Sequence, residues 1–183
     1  MLLIFGANLF SEKGCSKKVN SQQNENTMRR LVLFEDSMKV NLPADTEIAS
    51  EEIVSQMYPY TRRPHIILCS GHDYFTFSLY SKSLNSENLN GAILSVKDTI
   101  EKTRPACIIE DIKIERYNKR SYGWFSYRPP ADNNEYYSIM YVTPINGNFM
   151  LGTYTCKMDD EKSQSNFVNL VRSIQSMEDT DGN

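Results

Sequence analysis

The chain has 183 residues, 40% of them hydrophobic and 23% charged, and a formal net charge of -3 from twenty basic and twenty-three acidic side chains. That length suits one hydrophobic core and leaves no comfortable room for a second, while the apolar share is large enough to offset the conformational entropy lost on folding. The balance of charge supplies no broad positive field, and the basic pairs Lys17-Lys18, Arg29-Arg30, Arg62-Arg63 and Lys119-Arg120 are isolated, so no nucleic-acid partner is expected.

Met1 to Phe10 is apolar, but Glu12 and Lys13 follow at once and the run is too short to cross a bilayer, so no membrane span is expected. Asn20 to Asn26 has nothing apolar to bury, which makes residues 1–27 a flexible tail by expectation. A single α+β domain is expected over 28–178, with a disordered end at 179–183. The four cysteines, Cys15, Cys69, Cys107 and Cys156, show no CxxC spacing, and the last three sit in apolar strand-like runs. Buried free thiols in the cytoplasm are the reading this favours. An envelope protein anchored by lipid through Cys15 is the alternative, because a polar spacer follows that cysteine, although Glu12-Lys13-Gly14 are not the small apolar residues that precede an acylated one.

In chain order, Arg30 to Glu35 and Met38 to Leu42 read as a hairpin turning at Asp36-Ser37, and Pro43 stops its second strand. Ser50 to Met57 reads as a short helix capped by Ser50, with Glu51 and Glu52 at its positive end. His65 to Cys69 and Tyr74 to Tyr80 flank the turn Ser70-Gly71-His72-Asp73. Leu89, Ala92, Ile93, Val96 and Ile100 recur at helical spacing within 86–103, where Gly91 weakens the first turn by about 1 kcal/mol. Four β-prone runs follow, 106–117, 121–128, 136–143 and 148–156, separated by Asn118-Lys119-Arg120, Pro129 to Asn134 and Asn146-Gly147. An antiparallel meander is the economical arrangement. Phe167, Leu170, Val171, Ile174 and Met177 then place one apolar stripe on a helix over 163–177, with Asn166, Asn169, Arg172 and Gln175 facing away.

The order hairpin, helix, hairpin, long helix, meander, helix, with the closing segment Gly147 to Cys156 and the terminal helix Phe167 to Ile174, resembles the PsbP-like superfamily. The pattern Tyr58-Pro59, Arg63-Pro64 and then a strand is similar to that of small uncharacterised bacterial proteins. The resemblance covers about Met28 to Met177 and rests on element order more than on a diagnostic motif. It implies an α/β/α sandwich built on an antiparallel sheet and an accessory or binding role, and it transfers no site residue.

Chemistry is sparse. His65, Cys69 and His72 form an H-x3-C-x2-H spacing, but a zinc site needs a fourth ligand, and nothing in the spacing lowers the Cys69 pKa or supplies it with a base. Neither a nucleophile elbow nor a phosphate loop is present, and Asp159-Asp160-Glu161 lacks the alternation of a calcium loop. No catalytic residue, metal or cofactor is therefore expected, and a cysteine- or metal-dependent enzyme is the alternative reading. The meander is rich in aromatics, and strand alternation puts Tyr122, Trp124 and Ser126 on one face and Phe125 and Tyr127 on the other. Trp124, Tyr127 and Arg128, with the solvated pair Arg62 and Arg63, are the candidate partner-binding residues, being of types enriched at binding hot spots. The function this favours is a non-enzymatic binding or accessory protein with a protein partner, an immunity-type inhibitor of a bacterial toxin being one concrete form.

Overall fold

The computed structural model describes residues 27–59, 62–117, 119–128, 136–157 and 161–176, except for the side chains of 161–164. The expected tail before Met28 lies outside these residues apart from Thr27, whose carbonyl accepts from the Ala44 N–H. Cys15, the Pro129 to Asn134 turn, Asp159-Asp160, Met177 and the C-terminal residues lie outside them as well.

Strands β1 (Met28–Leu33) and β2 (Met38–Pro43) form the first hairpin. Its turn is longer than Asp36-Ser37: Phe34, Glu35 and Asp36 take φ of 56°, 50° and 70°, and the Ser37 N–H donates to the Phe34 carbonyl at 3.0 Å. The two-residue strand β3 (Glu47–Ile48), too short to leave a sequence pattern, leads into helix α1 (Glu51–Met57), capped by the Ser50 hydroxyl accepting from the Ile53 N–H. Strands β4 (Ile66–Ser70) and β5 (Asp73–Ser83) follow as a hairpin. Helix α2 (Leu89–Thr103) starts three residues later than its apolar spacing predicts. The Asn85 side-chain oxygen accepts from the Glu87 and Asn88 N–H groups at 3.1 and 3.0 Å, and Asn88 returns the bond to the Asn85 N–H at 2.8 Å. This local ring gives those backbone groups a non-helical partner and delays the helix.

The run 106–117 is two strands, not one: β6 (Ile108–Ile109) and β7 (Lys113–Tyr117), both on the same edge of β8 (Arg120–Arg128). Ile109 pairs with Tyr127 and Lys113 with Trp124, so four steps on the edge match three on β8. The extra residue is a β-bulge. It is fixed by the Glu110 N–H on the Ser126 carbonyl and by the Ser126 hydroxyl on the Glu110 carboxylate at 2.6 Å, and it lets Ile109 and Ile112 both pack on the same core. Strands β9 (Tyr136–Ile145) and β10 (Asn148–Lys157) complete the meander around Asn146 and Gly147, whose φ values of 49° and 70° suit a tight hairpin.

Helix α3 (Glu161–Ser173) buries Phe167, Leu170 and Val171, and Ile174 just beyond it is buried too. The helix ends four residues earlier than its stripe predicts. Ser173 accepts from the Asn41 N–H at 2.9 Å and donates to the Leu170 carbonyl, which ties the helix end to β2. Gln175 and Ser176 then form β11 (Gln175–Ser176) against β2.

The main sheet runs β3-β4-β5-β10-β9-β8-β6, with β7 also on β8, and its pairs are antiparallel; β1, β2 and β11 make a second, three-stranded sheet. One face of the main sheet packs against α1 and α2, the other against α3 and the small sheet, which gives three layers. No helix among the described residues is long and apolar enough to cross a membrane.

Candidate functional site

Strand alternation assigns every β8 side chain to a face, and the predicted division holds: Tyr122 and Trp124 lie with α3, Phe125 and Tyr127 with α2. Trp124 and Tyr127 therefore cannot share one surface. Arg62 and Arg63 precede β4, separated from β8 by four strand spacings of about 4.8 Å, or roughly 19 Å. Arg63 ion-pairs with Glu51 and donates to Ser55, both in α1, and holds the Glu51 carboxyl below its usual range, first by hydrogen bond and then by charge. It acts as an anchor for the α1–β4 connection. Arg62 is exposed, and Arg128 is half-buried at the end of β8 opposite Ile108. The five candidate residues thus fall into three separate places.

Trp124 is half-buried, its ring edge-on to Phe167 at 5.4 Å, and it opens onto a surface that the sequence reading missed. All five residues of β7 are exposed, and its outer backbone edge has no strand partner among the described residues. The register places Lys113 beside Trp124 and Tyr117 beside Arg120. The Lys113 ammonium lies 4.6 Å from the centroid of the Trp124 ring, and the Arg172 guanidinium of α3 lies 5.1 Å from that of Tyr117. Such contacts are worth about 0.5–1 kcal/mol each at exposed sites and hold two otherwise mobile cations in place. Buried Arg120 donates to the Ile174 carbonyl at 2.8 Å and fixes the start of β8 to the end of α3. Tyr117 is 40% exposed, a large enough fraction to offer apolar contact between the charges, while Ile114, 48% exposed, points to the other face beside Gly123. The signal in the sequence was the alternation Lys113-Ile114-Glu115-Arg116-Tyr117, in which neither face is apolar enough to be buried.

Tyr127 is buried on the opposite face and presents no ring to the surface. Its ring lies 5.6 Å beneath the Arg104 guanidinium, and its hydroxyl accepts from Arg104 at 3.4 Å. Around it the sheet presents hydroxyls. Register sets Thr76 beside Thr153, Tyr74 beside Thr155, Thr155 beside Ser138 and Ser138 beside Tyr127, all buried. The Ser138 and Thr155 hydroxyls bond each other at 2.9 Å. Tyr58, just past α1, bonds Thr76; burial first and Tyr127 second push its phenol well above the ordinary tyrosine range, with Arg104 pulling the other way.

The structure does not bring His65, Cys69 and His72 together, and among the described residues no three His, Cys, Asp or Glu side chains gather as metal ligands. Both histidines are exposed, and the His65 ring nitrogen Nδ1 accepts from the Leu79 N–H at 3.2 Å. Cys69 is fully buried against the α1 and α2 side. The expectation of free thiols holds for Cys107 and Cys156 and is corrected at Cys69, which is disulfide-bonded.

No family model matches the sequence, and no curated protein matches it. The solution structure of cyanobacterial PsbP (CyanoP) from Synechocystis sp. PCC 6803 is similar with a TM-score of 0.57 at 11% identity, over 88% of this chain and 98% of that one. A crystal structure from Bacteroides thetaiotaomicron VPI-5482 gives 0.51 at 9% identity, over 80% of this chain and 47% of the other. The Ran-binding protein Mog1p of Saccharomyces cerevisiae gives 0.48 at 8%, over 82% and 95%. At these identities the likeness is one of fold, and the fold is the antiparallel, helix-covered PsbP-like sandwich that the element order implies.

Proposed function

We propose that the protein is a non-enzymatic binding protein that takes an extended, acidic segment of a protein partner as an added strand on β7. The observation that carries this reading is a five-residue edge strand, exposed throughout, flanked by two cations that aromatic rings already hold in position. Adding a strand supplies main-chain hydrogen bonds along the edge, and neighbouring side chains select the sequence that docks. Within β7 Lys113 and Arg116 outnumber Glu115, and Lys119 and Arg172 add positive charge at its Tyr117 end, so an acidic segment is the complementary one. The same charges, with the bulge at Glu110, keep two copies of the edge from pairing with each other.

Residues that would serve an enzyme have structural employment instead: His65 accepts from the β5 backbone, and Cys69 is in a disulfide. The disulfide at Cys69 also favours an oxidising compartment over the cytoplasm. Cell fractionation with thiol labelling of Cys69 checks this, a cytoplasmic protein with a freely labelled Cys69 overturning it.

Titrating the full chain with a short peptide of alternating glutamate and valine tests the docking edge. Hydrogen-exchange protection of the Lys113 to Tyr117 amides and a change in fluorescence of Trp124, the single tryptophan, are the expected results. Both should disappear when Lys113 and Arg172 are changed to glutamate. Perturbation confined to other elements, or the same response to an alternating lysine and valine peptide, overturns the proposal.

A further inference from the structure

On the face opposite Trp124, polar groups are gathered where a core would ordinarily be apolar. Thr76, Thr153, Thr155 and Ser138 occupy adjacent positions on three neighbouring strands, each no more than 7% exposed. Tyr58 and Tyr127 lie with them in the same core, and Arg104, at the end of α2, leans over Tyr127. Most of these groups answer one another. Two do not: the Arg104 Nη2 and the Thr153 hydroxyl are buried with no hydrogen-bond partner among the described residues.

The kind of partner they lack is defined by their chemistry. A guanidinium has donors only and keeps its charge at any pH a protein tolerates, so the group missing at Nη2 is an acceptor, and an anionic one satisfies it best. The Arg104 hydrogen bond is to a neutral phenol, and the ion pairs among the described residues, Arg63 with Glu51 and Lys97 with Glu101, do not include it. A buried donor left without an acceptor costs about 1–3 kcal/mol, and more when charged. The orphan hydroxyl of Tyr141 differs, for it lies over Gly152 in the aromatic core beneath α3. Arg104 by contrast stands at the end of a helix and is only half-buried.

We propose that this face holds a binding site for a small polar molecule bearing an oxyanion, a carboxylate or a phosphate ester. Arg104 takes the anion, Tyr127 and Tyr58 orient it, and the Thr153 hydroxyl, two strands across the sheet from Tyr127 and one row along, meets a polar group at the far end of the same molecule. The site is separate from the β7 edge, since it lies on the other face of β8, and neither proposal depends on the other.

Nuclear magnetic resonance of the full chain tests it, with sodium succinate and inorganic phosphate as separate probes. Saturable shifts at Thr76, Arg104, Tyr127 and Thr153 are expected with at least one probe, together with a rise in thermal midpoint by mass action. Succinate alone acting marks a carboxylate site, and phosphate alone a phosphate site. R104Q should abolish the saturable shifts, and T153V should weaken binding several-fold while leaving the unliganded protein folded. Shifts that stay linear with probe concentration, scatter over surface lysines or persist in R104Q overturn the assignment. Should R104Q fail to fold, the wild-type titration decides alone: no saturable shift at those four residues with either probe refutes the site.

Discussion

On the face that α3 covers, β9 and β10 present Ile139, Tyr141, Tyr154 and Cys156; on the other face the same two strands present Ser138, Met140, Thr153 and Thr155. Alternate residues of one sheet thus build two unlike interiors. Beneath α3, Phe167 is ringed by Trp124, Tyr141 and Tyr154 at 5.4, 5.8 and 6.3 Å, and Tyr154 stacks on Phe75 at 5.1 Å. Beneath α1 and α2 the packing around Ile93 and Leu151 gives way at one end to hydroxyls and Arg104. Aromatic packing of the first kind gains from every exact fit and tolerates little change, so it serves as the rigid side. Polar interiors of the second kind add little net stability unless each group is answered, which makes that side the one with chemistry to spare.

The contrast is broken most sharply at Phe167. Phe167→Ala should cost about 3–5 kcal/mol in urea unfolding, because it opens a cavity touching three other rings. A loss under 1 kcal/mol would mean that the α3 layer is not the rigid one. Next come the two glycines that let side chains approach the sheet. A Cβ on Gly152 would stand 2.1 Å from Tyr141 Cζ, whose ring is fully buried and has nowhere to retreat. A Cβ on Gly123, on the α2 side, would stand 3.0 Å from an Ile93 methyl and 3.1 Å from the end of Ile114, which is half-exposed and free to swing away. Gly152→Ala is expected to cost about 1–3 kcal/mol or more and Gly123→Ala distinctly less, the difference being read from paired unfolding curves.

Much of this architecture was legible in the sequence, because alternation and helical spacing report burial directly. The Phe167, Leu170, Val171 and Ile174 stripe and the division of Trp124 from Tyr127 follow from period alone. What was not legible had a different physical origin. The bulge at Glu110 arises from pairing with Ser126, the late start of α2 from the Asn85 ring, and the early end of α3 from Ser173 reaching Asn41. Each is a side chain overriding the backbone pattern. Hot-spot composition says nothing of whether a ring such as Tyr127 is covered, and the exposed β7 edge carries no rare residue type to draw notice.

Alkaline pH sharpens the comparison with one buried tyrosine from each face. Burial is the first cause that raises the pKa of both Tyr58 and Tyr141 above the ordinary value of 10.0. The unfolded chain releases these protons near pH 10 while the native protein keeps them, so stability is complete below that pH and falls as pH rises above it. The slope is about 1.4 kcal/mol per pH unit for each tyrosine. Tyr58→Phe and Tyr141→Phe should each remove one tyrosine's share of the slope. At neutral pH they should part company: Tyr141→Phe deletes a hydroxyl with no partner and is neutral or stabilising, whereas Tyr58→Phe breaks the bond to Thr76 and costs about 1 kcal/mol.

The smallest effect separates two neighbours on the hydroxyl-lined face itself. Thr153 and Thr155 lie two residues apart on β10, both 5% exposed, and valine matches threonine in shape at each. Thr155 is answered by Ser138 at 2.9 Å, so Thr155→Val strands the serine hydroxyl and should cost about 1 kcal/mol. Thr153 is answered by nothing among the described residues, so Thr153→Val removes a desolvated hydroxyl and should be neutral or stabilising by up to about 1 kcal/mol. Equal losses at both positions, measured by urea unfolding without any added anion, would show that Thr153 already has a partner in the free protein. That outcome would remove Thr153 from the unanswered groups of that face, and the receptive character of the α1 and α2 side would rest on Arg104.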